Sequence, residues 1–189
     1  MNWSIQTRPT TPVLSAEEML LHLRVDTTEE SSFVERLLQA AESWVEEYTG
    51  RSLFTQTWLY TCASFSDQIR LPRAAPLQSV THVKYYDLSN VLQTVSTSIY
   101  TVRTDSEIGS VDLVNTQSWP SSVGVRADAV RITYVTGWDD AANVPAPLKH
   151  AIGLLVGHWF LNREAVGGSD LASLPLGVEA LCAPWRVWL

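Results

Sequence analysis

The chain has 189 residues, enough for one sizeable core or one core with a small satellite. Hydrophobic residues make up 46% and charged residues 17%, a balance that fits a folded chain and leaves no room for a large disordered region. The net charge of −7 argues against coating nucleic acid or anionic membrane by bulk attraction.

The opening stretch "MNWSIQTRPTTPVLS" has neither the basic flank nor the apolar run of a secretory signal, and reads as a Pro/Thr-rich leader. The longest greasy stretch, "AIGLLVGHWFL", is too short to span a bilayer, so synthesis in the cytoplasm is expected. Ser15 with Glu18 three residues later has the spacing of a capping box and predicts a short helix over about 16–24. In "TTEESSFVERLLQAAESWVEEYTG", apolar residues at 33, 34, 37, 38, 41, 44, 45 and 48 fall on one stripe of a 3.6-residue period. Thr27 or Thr28 can cap this second helix, Glu29 and Glu30 suit its positive end, and Gly50 can end it in the left-handed conformation.

From residue 55 the period falls to two. The segments "TQTWLYTC", "SVTHVKYYD", "SIYTVRT" and "VRITYV" predict strands, with "DLSN" at 87–90 as a hairpin turn. The prolines of "LPRAAPLQ" confine that connection to a loop or a sheet edge. Helix returns at "VPAPLKHAIGLLVGHWFLNREAVGG", entered at Pro145 and Pro147 and left at Gly167 and Gly168. Its apolar residues cover more than one side, which predicts packing on two faces. Gly153 and Gly157, four apart, each cost about 1 kcal/mol against Ala in a helix interior, a cost explained by a second backbone lying close. The expected fold class is α+β: a mainly α-helical bundle core (about 15–50 and 145–189) with an antiparallel β insert (about 55–136) between the second and third main helices, all in one domain over 1–189.

Chemistry-bearing patterns are scarce. The histidines at 22, 82, 150 and 158 include no pair four apart, and His150 and His158 lie about 12 Å apart along their helix. Asp139 and Asp140 in "GWDDAANVP" are adjacent carboxylates, but turn and capping chemistry accounts for them, and no placed partner is visible. There is no G-x-S-x-G elbow, P-loop or G-x-G-x-x-G, and "VGGSD" at 166–170 lacks the Lys and preceding strand of a phosphate cradle. Cys62 and Cys182 read as buried thiols in a reducing compartment, with a mutual disulfide as the alternative. Basic residues such as Arg126, Arg131 and Arg163 are too dispersed to form a nucleic-acid stripe. Neither a cofactor nor a metal is expected.

What stands out is aromatic and apolar surface. There are eight tryptophans, and the chain finishes on "LCAPWRVWL", greasy residues where a terminus usually frays into water. That excess points to assembly.

The blocks "PVLSAEEMLLHLRVD", "YTGRSLFTQTW", "LPRAAPLQSV", "VRITYVTGW", "VPAPLKHAI", "HWFLNREA" and "LPLGVEALCAPWRV", in that order and over nearly the whole length, resemble the head-tail connector proteins of tailed bacteriophages and gene transfer particles. These are also called adaptor or head-completion proteins. The hairpin "DLSN" departs from the Asp-Gly common at that turn in the family. The resemblance implies a ring of about twelve copies under the portal, closed by a heterologous contact, which extends the DNA channel at the head-tail interface of the virion. It implies three partners: the portal protein, a stopper or tail component on the opposite face, and the chain itself. DNA would pass through without sequence-specific binding, and no membrane is involved.

On that resemblance Pro184, Trp185, Arg186, Val187, Trp188 and Leu189 are the expected portal-docking arm, Trp and Arg being common anchors of interfaces. The alternative is a tail folded back on its own core, with Trp185 and Trp188 on one final helical turn. Gly153, Gly157 and Trp159 are the expected packing or assembly positions on the third main helix. An acidic lumen would let DNA slide, with Glu29, Glu30, Glu46 and Glu47 as candidates, for which an exposed outer face serves equally well. Two other readings are a tail-completion protein, which binds the tail tube instead, and a metal-dependent or acid/base enzyme built round Asp139, Asp140, His150 and His158.

Overall fold

The computed structural model describes residues 2–163 and 176–188. The expected helix exit at Gly167 and Gly168, the "VGGSD" stretch and Leu189 lie outside the described residues. The chain divides into two compact units, one of helices (Thr10–Phe54 and Asp139–Arg186) and one of strands (Met1–Pro9, Thr55–Trp138 and Val187–Leu189).

The helical unit holds α1 (Ala16–Leu23), α2 (Ser31–Thr49), α3 (Ala146–Leu161) and α4 (Leu176–Cys182). Helix α1 starts on the predicted capping box. The Glu18 amide donates to Ser15 Oγ at 3.1 Å, and the Ser15 amide donates back to Glu18 Oε2 at 2.7 Å. That returned bond holds the Glu18 carboxyl below its ordinary range. Helix α2 begins later than the threonines suggested, at Ser31, without a side-chain cap. Thr27 instead accepts the Glu29 amide in the turn before it. Gly50 ends α2 at φ 69°, a conformation in which an L side chain would be strained.

Helix α3 is the centre of this unit. It touches α1, α2 and α4, so the apolar residues that overflow one stripe have partners on more than one side. Leu148, Ile152 and Leu155 are among its fully buried side chains, with Val34, Leu38 and Val45 of α2. Glu42, largely buried on α2, accepts the Val13 amide and so ties down the segment leading to α1. Burial pushes its carboxyl up to about 7.

The strand unit has two antiparallel sheets. One has five strands in the order β1 (Asn2–Thr7), β2 (Gln56–Cys62), β8 (Val130–Thr136), β4 (Leu77–Tyr86), β5 (Leu92–Thr94). The other has the order β3 (Gln68–Arg70), β7 (Ser110–Leu113), β6 (Tyr100–Arg103). The class is therefore α+β, but the protein is not mainly a helical bundle with a β insert. The strands enclose a core of their own, with Leu71, Val83, Val111, Ile132 and Tyr134 buried completely or nearly so. Tyr134 keeps its hydroxyl inside by donating to the Pro72 carbonyl at 2.6 Å. The supposed leader is strand β1, paired with β2 from Asn2↔Thr61 to Thr7↔Thr57.

The predicted hairpin turn is present between β4 and β5. Asp87 Oδ1 accepts the Ser89 and Val91 amides, each at 2.9 Å, and Oδ2 accepts Gln93 Nε2 at 2.8 Å. Asn90 takes the left-handed conformation, φ 60°, that Asp-Gly turns usually give to glycine.

Candidate interaction surfaces

The C-terminal segment is folded in part and exposed in part. Helix α4 buries Val178 and Cys182 fully, and a single tight turn follows over Ala183–Trp185. Arg51, just past the end of α2 and only 8% exposed, donates from Nε to the Trp185 carbonyl. The same guanidinium lies 5.7 Å from the centroid of the Trp185 ring. Next along the chain, the Arg186 guanidinium lies 4.6 Å from the Tyr48 ring centroid, and Tyr48 in turn stacks on Trp44 at 5.0 Å. Cation-π contacts of this kind are worth about 0.5–2 kcal/mol each.

Trp185 and Arg186 are thus held against α2 by the chain itself, in keeping with part of the folded-back alternative. Trp185 and Trp188 do not share a helical turn, because the turn stops at Trp185 and the backbone at Arg186 is extended. Pro184 is exposed, Val187 half-buried, and Trp188 is 71% exposed. An indole left so far in water is unusual, since large aromatics carry the greatest gain on burial.

Gly153 and Gly157 face α1. A Cβ at Gly153 would sit 3.8 Å from His22 Nε2, and one at Gly157 would sit 3.8 Å from Leu23 Cδ2, both ordinary contact distances. No backbone of the same chain approaches either glycine within that range among the described residues. Trp159 is half-buried on the same helix.

The residues of the enzyme reading do not converge. Asp140 Oδ1 accepts the Ala142 amide at 2.7 Å and starts a short turn over Ala141–Asn143, while Asp139 accepts Asn143 Nδ2 at 2.9 Å. These are capping roles. His150 is exposed and His158 half-buried, and among the described residues no three His, Cys, Asp or Glu side chains are grouped as metal ligands. Cys62 and Cys182 are both buried free thiols, held above the ordinary thiol range by burial. Of the acidic candidates for a lumen, Glu30 pairs with Arg163 at 3.1 Å and Glu46 accepts the Leu53 amide at 2.7 Å, whereas Glu29 and Glu47 are exposed.

Sequence reasoning missed Arg51, Tyr48 and Trp44 as the bed for the C-terminal segment. Arg51 and Trp185 are 134 positions apart, and no periodicity links them.

The sequence profile of the head completion protein family matches residues 12–168. The chain belongs to the head completion protein family. Its place is therefore the virion, and its role there is structural. No match is found among curated protein sequences. Among solved structures, this head completion protein is similar to a chain in the neck of an empty gene transfer agent particle computed with C6 symmetry, with TM-score 0.81 and 23% identity over 100% of this chain and 97% of that one. It is similar in the same way to a chain of the native gene transfer agent virion, with TM-score 0.79, 23% identity and the same coverage. A third likeness is to a chain in the neck of the native particle computed with C12 symmetry, with TM-score 0.71 and 20% identity over 98% of this chain and 97% of that one. At these identities the likeness is one of fold, and it runs the whole length.

Proposed function

We propose that this head completion protein is the head-tail connector of a phage or gene transfer particle. Its copies form a ring under the portal, extend the DNA channel and present the surface that receives the next neck or tail component. Both units work as one connector domain. The observation that carries this reading is family membership joined to a fold shared end to end with neck chains of gene transfer agent particles.

A ring of identical copies closes through a heterologous contact, and about twelve copies is the expected number. The protein is made in the host cytoplasm and ends at the head-tail interface. Its work is burial of apolar surface against other chains rather than catalysis. The overall charge of −7 suits a channel through which DNA slides, because clustered cations would hold phosphates instead.

Portal docking falls to the C-terminal segment. Pro184 leads into it, Trp185 and Arg186 set its direction, since Arg51 and Tyr48 hold them, and Val187, Trp188 and Leu189 reach the partner. Trp188 supports this by standing exposed beyond a fixed base. A pre-set base lowers the ordering cost of binding, and repetition around a ring multiplies weak single contacts. Gly153, Gly157 and Trp159 contribute to packing between copies. The test is co-sedimentation of portal with the full chain and with a chain lacking 187–189. Loss of attachment by the shortened chain, with an unchanged melting curve, is expected, and normal attachment overturns the docking role.

A further inference from the structure

The β4–β5 hairpin tip and the loop 124–128 beside it form an ordered apolar platform. Leu88, Val91 and Leu92 on the hairpin are exposed, Leu88 by 72%, and Val125 on the loop is fully exposed. Leu88 and Val125 border a recess of about 410 Å³. The two segments are locked together. The Gly124 amide donates to the Tyr86 carbonyl at 2.7 Å, and a Cβ at Gly124 would come within 2.7 Å of the Asp87 carbonyl oxygen, so the close approach requires glycine. Arg126 spans the gap: it forks onto Asp128 at 2.6 and 2.8 Å, donates to Asn90 Oδ1 at 2.6 Å, and lies 3.8 Å from the Tyr86 ring centroid.

Charge at this platform is balanced within the chain. Asp87 is taken up by the turn, and Asp128 is shared between Arg126 and Arg131, the latter at 3.5 Å. Two carboxylates and two guanidinium groups cancel, on a chain whose total is −7. Copies of such a chain repel one another through most of their surface, and a neutral apolar platform is where they can meet without that cost. The exposed aliphatic area is on the order of a few hundred Å², the size expected for the apolar centre of one side of a standard interface of roughly 800 Å² per partner. A phosphate-bearing partner would find no uncommitted cation here.

We propose that this platform is the contact by which one copy docks on a second copy of the chain in the ring. The inference rests on the ring reading above and adds the surface that closes it. The counter-surface is a different one, as a heterologous contact requires. The other unit offers Leu21 of α1 and Leu161 of α3, exposed by 81% and 80%.

The test uses the full chain with Val125→Cys, both native thiols being buried and slow to react. Maleimide labelling is compared for the monomer and for the ring assembled on portal. At least tenfold protection in the ring is expected. A neutral pair of changes, Leu88→Asn with Val125→Ser, should raise the concentration needed for ring formation by at least tenfold while the melting temperature holds. If the unmodified chain forms no ring, with or without portal, the ring reading itself fails. If rings form but the thiol labels as fast as in the monomer, or is protected only when a further neck component is added, the ring reading stands and this assignment is overturned.

Discussion

Removing residues 184–189 should weaken the fold as well as the attachment. Three contacts would go at once. The nearly buried Arg51 loses its bond to the Trp185 carbonyl, and a hydrogen bond to a charged group is worth about 1.5–3 kcal/mol. The ring contacts of Arg51 on Trp185 and Arg186 on Tyr48 add about 0.5–1 kcal/mol each where partly exposed. Some of this returns as freed chain entropy, which leaves a net loss of about 2–4 kcal/mol. For a chain of this size 1 kcal/mol moves the melting temperature by about 2–4 °C, so a fall of roughly 4–16 °C is expected. Removing only 187–189 spares all three contacts and should leave the melting temperature within about 2 °C. Calorimetry on the two truncations and the full chain separates the cases. If the longer deletion melts with the full chain, the anchoring role of Arg51 and Tyr48 is refuted.

Three further outcomes are expected. Glu42 has its carboxyl raised from 4.5 to about 7 by burial, so the folded state binds its proton more tightly than the unfolded state does. Its contribution is fully present below about pH 4.5 and is lost as pH rises towards 7, by roughly 3 kcal/mol at most. Glu42→Gln should flatten that slope in urea unfolding at pH 5 and pH 8, and an unchanged slope would remove Glu42 as its source. A Cβ at Gly109 would fall 2.3 Å from Leu77 Cβ, so Gly109→Ala should cost about 1–3 kcal/mol, read as a lowered urea midpoint. Gly157→Ala should leave the monomer as stable or raise it by up to about 1 kcal/mol, since the nearest atom is 3.8 Å away. Loss of ring formation in that stable variant is the result expected if this glycine packs against another copy, and normal rings would count against it.

What could be read beforehand follows the range of the forces involved. The α1 cap, the left-handed Gly50 and the 87–90 turn are decided within a few residues, and the residue types alone show them. The stripe on α2 was visible because one face meets a core, and the overflow of α3 because three helices meet it. Strand β1 was hidden, although Trp3 and Ile5 alternate with polar residues, because an edge strand with mostly exposed side chains carries little burial signal beside its Pro/Thr-rich sequel. The large share of sheet is hard to read from sequence for a related reason. The short strands β3 and β7 bring Ile69 and Val111 to a second core, but three or four residues are too few to show a period.

The same distinction separates the two halves of the C-terminal segment. From sequence alone Trp185 and Trp188 are equivalent, two indoles three residues apart near the end of a chain. They differ because Arg51, fixed at the end of α2, offers a donor where the Trp185 carbonyl arrives. A buried guanidinium needs such acceptors, so this contact is dictated by the helical unit whether or not a partner is ever bound. Trp188, three residues on, keeps most of its surface in water. An indole with that much surface in water has more to gain from a covering chain than one already packed. That asymmetry in exposure divides the segment at Arg186: upstream substitutions should register first as lost stability, and downstream ones chiefly as lost attachment.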